Sequence, residues 1–247
     1  MHVLVTNFNS GNKSIVFDLV SLRECRAVPD FPFRARYTAS ASVQGSPVVC
    51  GGMEPSKARI GNCYINEGSP NFSWRKLTDH IRGRYMHAAV ALGDRLWLTG
   101  GAGVVTYANG QGTPTGLDLT EFISLDGTVE RGPNLPKYLD SHCMIKLTDG
   151  RVMILGGVVT IRNLNDVGKE NYYPTKKVLI YHPDTMDFTD GPSMLNNRSS
   201  FACAYFYSRL HGGRPVALAV GGNLGRAEVL DYTLEKAKWQ ESKFVFD

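Results

Sequence analysis

Four short apolar runs in this chain each end in a double glycine. They are Val48-Val49-Cys50-Gly51-Gly52, Leu96-Trp97-Leu98-Thr99-Gly100-Gly101, Val152-Met153-Ile154-Leu155-Gly156-Gly157 and Val216-Ala217-Leu218-Ala219-Val220-Gly221-Gly222. The first glycines are spaced by 49, 56 and 65 residues, so the period is near 50 with later copies lengthened by insertions. A fixed period of this size is the signature of a repeat architecture and outranks any local pattern. The surroundings repeat as well. Before each glycine pair lies another β-like run and a turn: Tyr37 to Val43, Met86 to Leu92, Cys143 to Leu147 and Phe201 to Tyr207. Two β-rich runs joined by a Gly-containing turn form an antiparallel hairpin.

A third run follows each pair after a polar loop: Asn62 to Ile65, Leu119 to Ser124, Lys177 to Tyr181 and Ala227 to Tyr232. The fourth run carries a large aromatic in three copies, Trp74, Phe188 and Trp239, and Val129 in the other. Four antiparallel strands per unit cannot bury both sheet faces alone, so the units stack face to face around an axis. The double glycine suits the end of the second strand, where backbones pass closely and φ is positive. No helical periodicity separates the strands, which argues against an α/β fold. Gly101-Ala102-Gly103 comes nearest to a phosphate-binding glycine motif and lacks its third glycine.

This combination resembles kelch repeats, best in the third copy: Val152 to Gly157, Val178-Leu179-Ile180-Tyr181, Asp184 to Phe188 and Gly191-Pro192. The resemblance covers nearly the whole chain. It implies an all-β, kelch-type β-propeller of about five blades, each of four antiparallel strands: four double-glycine blades plus one partial N-terminal blade. Residues 1–247 form a single domain, divided into a partial blade at 1–32 and repeats at 33–80, 81–136, 137–195 and 196–247. The partial blade has a strand at His2 to Phe8, another at Ser14 to Val20 and a third at Glu24 to Pro29, and it lacks a first strand. The C-terminal run Lys243-Phe244-Val245-Phe246 is placed to supply that strand and close a five-bladed ring. The alternative is a longer ring cut after Asp247, since six blades need roughly 300 residues at this period.

The formal charge of +4 is too mild to imply a nucleic-acid partner. No apolar run reaches the roughly 18 residues of a membrane span, and Met1 to Ser10 does not read as a signal peptide. The five cysteines, Cys25, Cys50, Cys63, Cys143 and Cys203, form no CxxC pair and are expected as reduced thiols in a cytoplasmic protein.

Propellers bind through loops on their end faces. The connections between blades carry Arg34, Arg36, Arg82, Arg84, Tyr85, Lys137, Tyr138, Asp140 and Arg198. Planar guanidinium groups pair carboxylates bidentately, and the resemblance implies arginines that reach an acidic peptide. Two long loops after the glycine pairs add Tyr107 and Asn109 in the first, Arg162, Lys169, Tyr172 and Tyr173 in the second. The expected partner-binding set is Arg34, Arg36, Arg82, Arg84, Tyr85, Tyr138, Arg198, Tyr172 and Tyr173. His87 and His142 recur at one repeat position, which points to structure. No HExxH or G-x-S-x-G pattern occurs, and neither a cofactor nor a catalytic set is expected. The leading expectation is a protein-interaction module, and the kelch resemblance implies the substrate-recognition part of a ubiquitin-ligase adaptor. The alternatives are a propeller oxidase or lyase using the axial channel, and an actin-binding kelch protein.

Overall fold

Strand formation here follows from burial on two sides. In Arg95–Thr99, Leu96 and Leu98 pack with Val43, Val48 and Ile65 of the preceding blade, while Trp97 points the other way, against Met144, Ile154 and Tyr181 of the next. Period-two alternation therefore serves two apolar interfaces, and the run reads as continuously hydrophobic. The computed structural model describes residues 2–6, 12–18, 20–21, 23–68, 72–106, 112–162, 170–222, 225–234 and 236–245.

Among these residues the chain is all-β apart from a single 3-10 turn at Arg209–His211. A three-stranded antiparallel sheet comes first: β1 (His2–Thr6), β2 (Ser14–Asp18) and β3 (Arg23–Ala27). The second blade is β4 (Ala39–Val43), β5 (Ser46–Cys50), β6 (Cys63–Asn66) and β7 (Trp74–Thr78). The third begins with β8 (Ala88–Leu92) and β9 (Arg95–Thr99). It makes an excursion through β10 (Ala102–Thr106) and β11 (Gly112–Gly116), then ends with β12 (Thr120–Ser124) and β13 (Val129–Arg131). A short strand, β14 (Tyr138–Asp140), leads into the fourth blade, whose inner pair is β15 (Cys143–Lys146) and β16 (Val152–Leu155). Its excursion is β17 (Val158–Arg162) and β18 (Glu170–Pro174), and its outer pair is β19 (Val178–His182) and β20 (Asp187–Gly191). The fifth blade is β21 (Ala202–Ser208), β22 (Arg214–Val220), β23 (Arg226–Leu230) and β24 (Gln240–Val245). The fold is that of a kelch-type β-propeller.

Each pair of successive double-glycine blades shares one apolar core. Leu77, Ile81 and Ile123 join the second and third blades. Phe122, Leu139 and Tyr181 join the third and fourth. Met153, Leu155, Ala217 and Leu230 join the fourth and fifth. The outer gap is filled by aromatics, as the repeat demands. Trp74 donates to the carbonyl of Pro29 at 3.1 Å and Trp239 to that of Pro192 at 2.8 Å, each tying its blade to the end of the one before. The third blade has Val129 at that position, packed against the core it shares with the second blade, while Trp97 of its second strand serves the other junction, 4.2 Å from the Tyr181 ring of the fourth blade, centroid to centroid.

Three expectations are corrected. The C-terminal run does not complete the first sheet; as β24 it pairs with β23 and forms the outer strand of the fifth blade. The two long loops are not plain loops, because each folds into an antiparallel ladder, β10–β11 and β17–β18. Nor are the cysteines all reduced: Cys50 is bonded to Cys63 and Cys143 to Cys203. The first pair sits directly opposite across β5 and β6. The second joins the inner strands β15 and β21, stapling two blades near the axis. No sequence motif marks these pairs; the repeat geometry brings them together. In the chain-entropy view such crosslinks contribute about 3 and about 4 kcal/mol for loops of these lengths. Thiol titration of the unreduced, denatured chain should detect no more than one thiol per molecule. Detection of five would return the cysteines to the reduced state.

Candidate binding face

The site is built from the four turns that lead into the inner strands. At each, one residue adopts a left-handed backbone: Tyr37 (φ 59°), Met86 (φ 56°), Ser141 (φ 55°) and Ser200 (φ 52°). This conformation is strained for non-glycine residues and persists where the surroundings fix it. Here the surroundings are one another. The Met86 N–H donates to the Tyr37 carbonyl at 3.2 Å, Ser141 N–H to Met86 at 2.7 Å, and Ser200 N–H to Ser141 at 2.9 Å. A chain of backbone hydrogen bonds thus runs from blade to blade around the axis.

The glycine pairs close against the same turns. Gly52, Gly101 and Gly157 donate their N–H groups to the carbonyls of Arg84, Leu139 and Arg198 in the next blade, at 2.8, 2.8 and 2.7 Å. A Cβ on Gly101 would lie 2.8 Å from the Tyr85 carbonyl, so only glycine fits there. His87 and His142 sit in the same layer, buried. Burial lowers the His142 pKa to about 3, and its Nε2 lies 2.7 Å from the Thr99 hydroxyl. Desolvation, reinforced by Arg84, depresses His87 as well. Both histidines are neutral packing groups.

Arg84 and Arg198 belong to this structural layer and do not face solvent. Each is 0% exposed. Arg84 donates to the carbonyls of Gly100 (3.1 Å) and Leu119 (3.0 Å) and ion-pairs with Glu121. Arg198 donates to the carbonyl of Gly221 at 2.9 Å and pairs with Glu228 at 3.1 Å. Glu228 also accepts from the backbone N–H groups of Leu195 and Asn196, and Glu121 from that of Arg82. Neither guanidinium is available to an acidic ligand, because both are used to satisfy the lead-in segment and the first glycine.

The repeat alignment explains where such pairs occur. Arg84 and Arg198 correspond to Leu139 in the fourth blade and Ala35 in the second. Glu121 and Glu228 correspond to Leu179 and Tyr64. Charge and counter-charge change together, as a buried pair must, because one partner alone leaves an unpaired buried charge. In the fourth blade the apolar alternative borders a cleft of about 220 Å³ lined by Leu139, Ile154, Val159 and Leu179.

A second tier stands on the lead-in turns. Arg36 bridges to Met53, Tyr85 to Ala102, and Asp140 pairs with Val158. The segments after the glycine pairs therefore rise from the same face as the lead-in turns. The two ladders clasp through Arg162. Its guanidinium lies 3.7 Å from the Tyr138 ring centroid and donates to the Gly116 carbonyl at 3.1 Å. Tyr172 donates to Glu170 at 2.9 Å; burial and that carboxylate push its pKa up to about 12. Burial raises Asp140, whose carboxylate accepts from the Ser141 hydroxyl.

Of the expected binding residues, Arg34, Arg36 and Arg82 are exposed. Arg82 is held to the Val104 carbonyl at 2.6 Å. Tyr85 is half-buried, with the Tyr37 ring 6.1 Å away and the Arg59 guanidinium 5.7 Å from its own ring. Tyr138 lies under Arg162, while Tyr172 and Tyr173 are each 52% exposed. Tyr107, Asn109 and Lys169 lie outside the described residues. Tyr37 and Arg59 were missed from the sequence. A side-by-side reading of the four lead-in turns exposes Tyr37, whereas Arg59 is brought to Tyr85 only by tertiary folding.

No family model matches the sequence, and no curated protein matches it at a significant level. Among solved structures it is similar to the one described as "Structure of YjhT". The TM-score is 0.66 at 15% sequence identity, over 87% of this chain and 67% of that one. At that identity the likeness is one of fold.

The paired exchange of charges makes a specific prediction. Arg84→Leu alone should destabilise the protein by about 3–5 kcal/mol, as expected for a stranded buried carboxylate. Arg84→Leu with Glu121→Leu should recover most of that loss, since the fourth blade uses Leu139 and Leu179 in the same places. Urea denaturation of the two variants checks this; a double variant no more stable than the single would contradict it.

Proposed function

We propose that this chain is a protein-interaction module whose lead-in face takes an extended acidic segment of a partner. The observation that carries the proposal is the Arg34–Arg36–Tyr37 edge. Arg34 and Arg36 are exposed and have no carboxylate partner among the described residues, and beside them Tyr37 is 48% exposed and tilted against Tyr85. Unpaired guanidinium groups next to aromatic surface suit carboxylates flanked by apolar atoms. Arg82 extends the cationic edge, and the exposed Tyr172 and Tyr173 add aromatic surface in the second tier. Arg84 and Arg198 contribute by fixing the turns and make no contact with the partner. The role is binding without catalysis. The kelch resemblance extends it to substrate recognition for a ubiquitin-ligase adaptor.

A fluorescein-labelled Asp/Glu-rich peptide, titrated at two salt concentrations, tests the reading. Affinity should fall as salt rises. Arg34→Glu/Arg36→Glu should weaken binding at least tenfold, which corresponds to about 1.4 kcal/mol, without lowering the melting temperature. Equal binding of the Asn/Gln counterpart peptide would refute the proposal, and so would undiminished affinity in the double variant.

A further inference from the structure

The fourth blade leaves open a space that the other double-glycine blades fill with their own side chains. In the third and fifth blades the filling is an ion pair. Its arginine donates to the carbonyl of the first glycine, Gly100 at 3.1 Å and Gly221 at 2.9 Å. Its glutamate accepts from the lead-in backbone, from the N–H groups of Arg82 and Asn196, each at 3.2 Å. In the second blade Tyr64 stands in the place of the glutamate, and the rings of Phe31 and Phe33 lie 5.5 and 5.2 Å from its own. The fourth blade has Leu139 and Leu179 there, and beside them lies the cleft of about 220 Å³.

The backbone groups that an ion pair would serve still line this cleft. The Gly156 carbonyl, equivalent to those of Gly100 and Gly221, accepts from no backbone N–H among the described residues. The Lys137 N–H, equivalent to those of Arg82 and Asn196, has no backbone acceptor among them. Pro136 stands where the Leu195 N–H donates to Glu228 at 2.7 Å, and a proline has no N–H to leave unpaired. The walls are apolar, at Leu139, Ile154, Val159 and Leu179, while Lys137, Lys177 and Asp190 are exposed at the rim. Asp190 lies directly opposite Leu179 across β19 and β20, and directly opposite residues share a sheet face. A carboxylate is thus available beside the position from which Leu179 omits one.

We propose that this cleft binds a free apolar α-amino acid of about leucine size, which supplies the absent ion pair from outside the chain. Its ammonium takes the place of the guanidinium, donating to the Gly156 carbonyl with Asp190 as counter-charge. Its carboxylate takes the place of the glutamate, accepting from the Lys137 N–H with the Lys177 ammonium nearby. Charge-assisted hydrogen bonds of this kind are the strong ones. Its side chain covers Leu139 and Leu179. A ligand with a cation alone would meet Lys137 and Lys177 with nothing to offer them. One with an anion alone would leave the Gly156 carbonyl and Asp190 unanswered. Size agrees with the assignment. An apolar cavity of about 150 Å³ admits benzene, and drug-sized ligands need about 300 Å³ or more. The cleft lies between these limits. This inference does not rest on the acidic-segment reading, which uses Arg34 and Arg36.

The probe is L-leucine, titrated against the full nitrogen-15-labelled chain by NMR. The Lys137 amide resonance should move saturably. N-acetyl-leucine and leucinamide, which keep one charge each, should bind at least tenfold more weakly. Leu139→Arg/Leu179→Glu builds into the fourth blade the pair of the third and fifth; it should abolish binding at an unchanged or higher melting temperature. Lys177→Gln/Asp190→Asn, confined to the exposed rim, should weaken binding at least tenfold, and it decides the matter where the first variant fails to fold. Four results would overturn the proposal: no saturable shift at Lys137, equal binding of either single-charge analogue, leucine binding by a folded Leu139→Arg/Leu179→Glu protein, or undiminished affinity in the rim variant.

Discussion

The docking of each lead-in turn onto the blade before it is the interaction on which the remainder depends. One backbone hydrogen bond joins successive left-handed residues, and a second joins the double glycine to the next blade. The second kind joins buried residues, Gly52, Gly101 and Gly157 to Arg84, Leu139 and Arg198, whose backbone groups are cut off from water once the blades close. Leaving one unmade costs more than making it gains. The apolar cores between blades supply the driving force, but they are non-directional. The turns set the angle at which one sheet meets the next, and so they decide where the second tier and its side chains stand.

Charge enters this layer in a restricted way. Arg84–Glu121 and Arg198–Glu228 satisfy lead-in backbone that Leu139–Leu179 leaves to other partners. A buried ion pair need not stabilise relative to an apolar pair of similar size, and the chain uses both solutions at equivalent places. What the pairs secure is the position of the connection, and with it the exposed arginines. Arg82 precedes Arg84 by two residues, and its backbone N–H is held by the carboxylate that also binds Arg84. Burial of one arginine thus orients the other toward solvent.

The repeat was legible because it is written in glycine spacing and strand alternation, both local consequences of backbone geometry. The inner and middle strands around Val48, Leu96, Val152 and Val216 form where those runs stand. Strand identity at the C-terminus was not legible: Lys243 to Val245 fits an inner or an outer strand equally well, and pairing with β23 decides it. Arginine exposure was not legible either. Arg36 and Arg84 look alike in sequence, and the difference is a glutamate 37 residues beyond Arg84 that only an alignment of the repeats brings opposite it. The cysteine pairs failed for the same reason, since Cys143 and Cys203 become neighbours through blade stacking, 60 residues apart.

Amide hydrogen exchange tests the central claim most directly. If the lead-in turns lock the blades in series, the amides of Gly52, Gly101, Gly157, Met86, Ser141 and Ser200 are as protected as those of the inner strands. Those of Tyr37 and Gly222, which have no backbone acceptor among the described residues, exchange far faster. Uniform protection through Gly222, or rapid exchange at Gly101 and Ser141, would contradict the account.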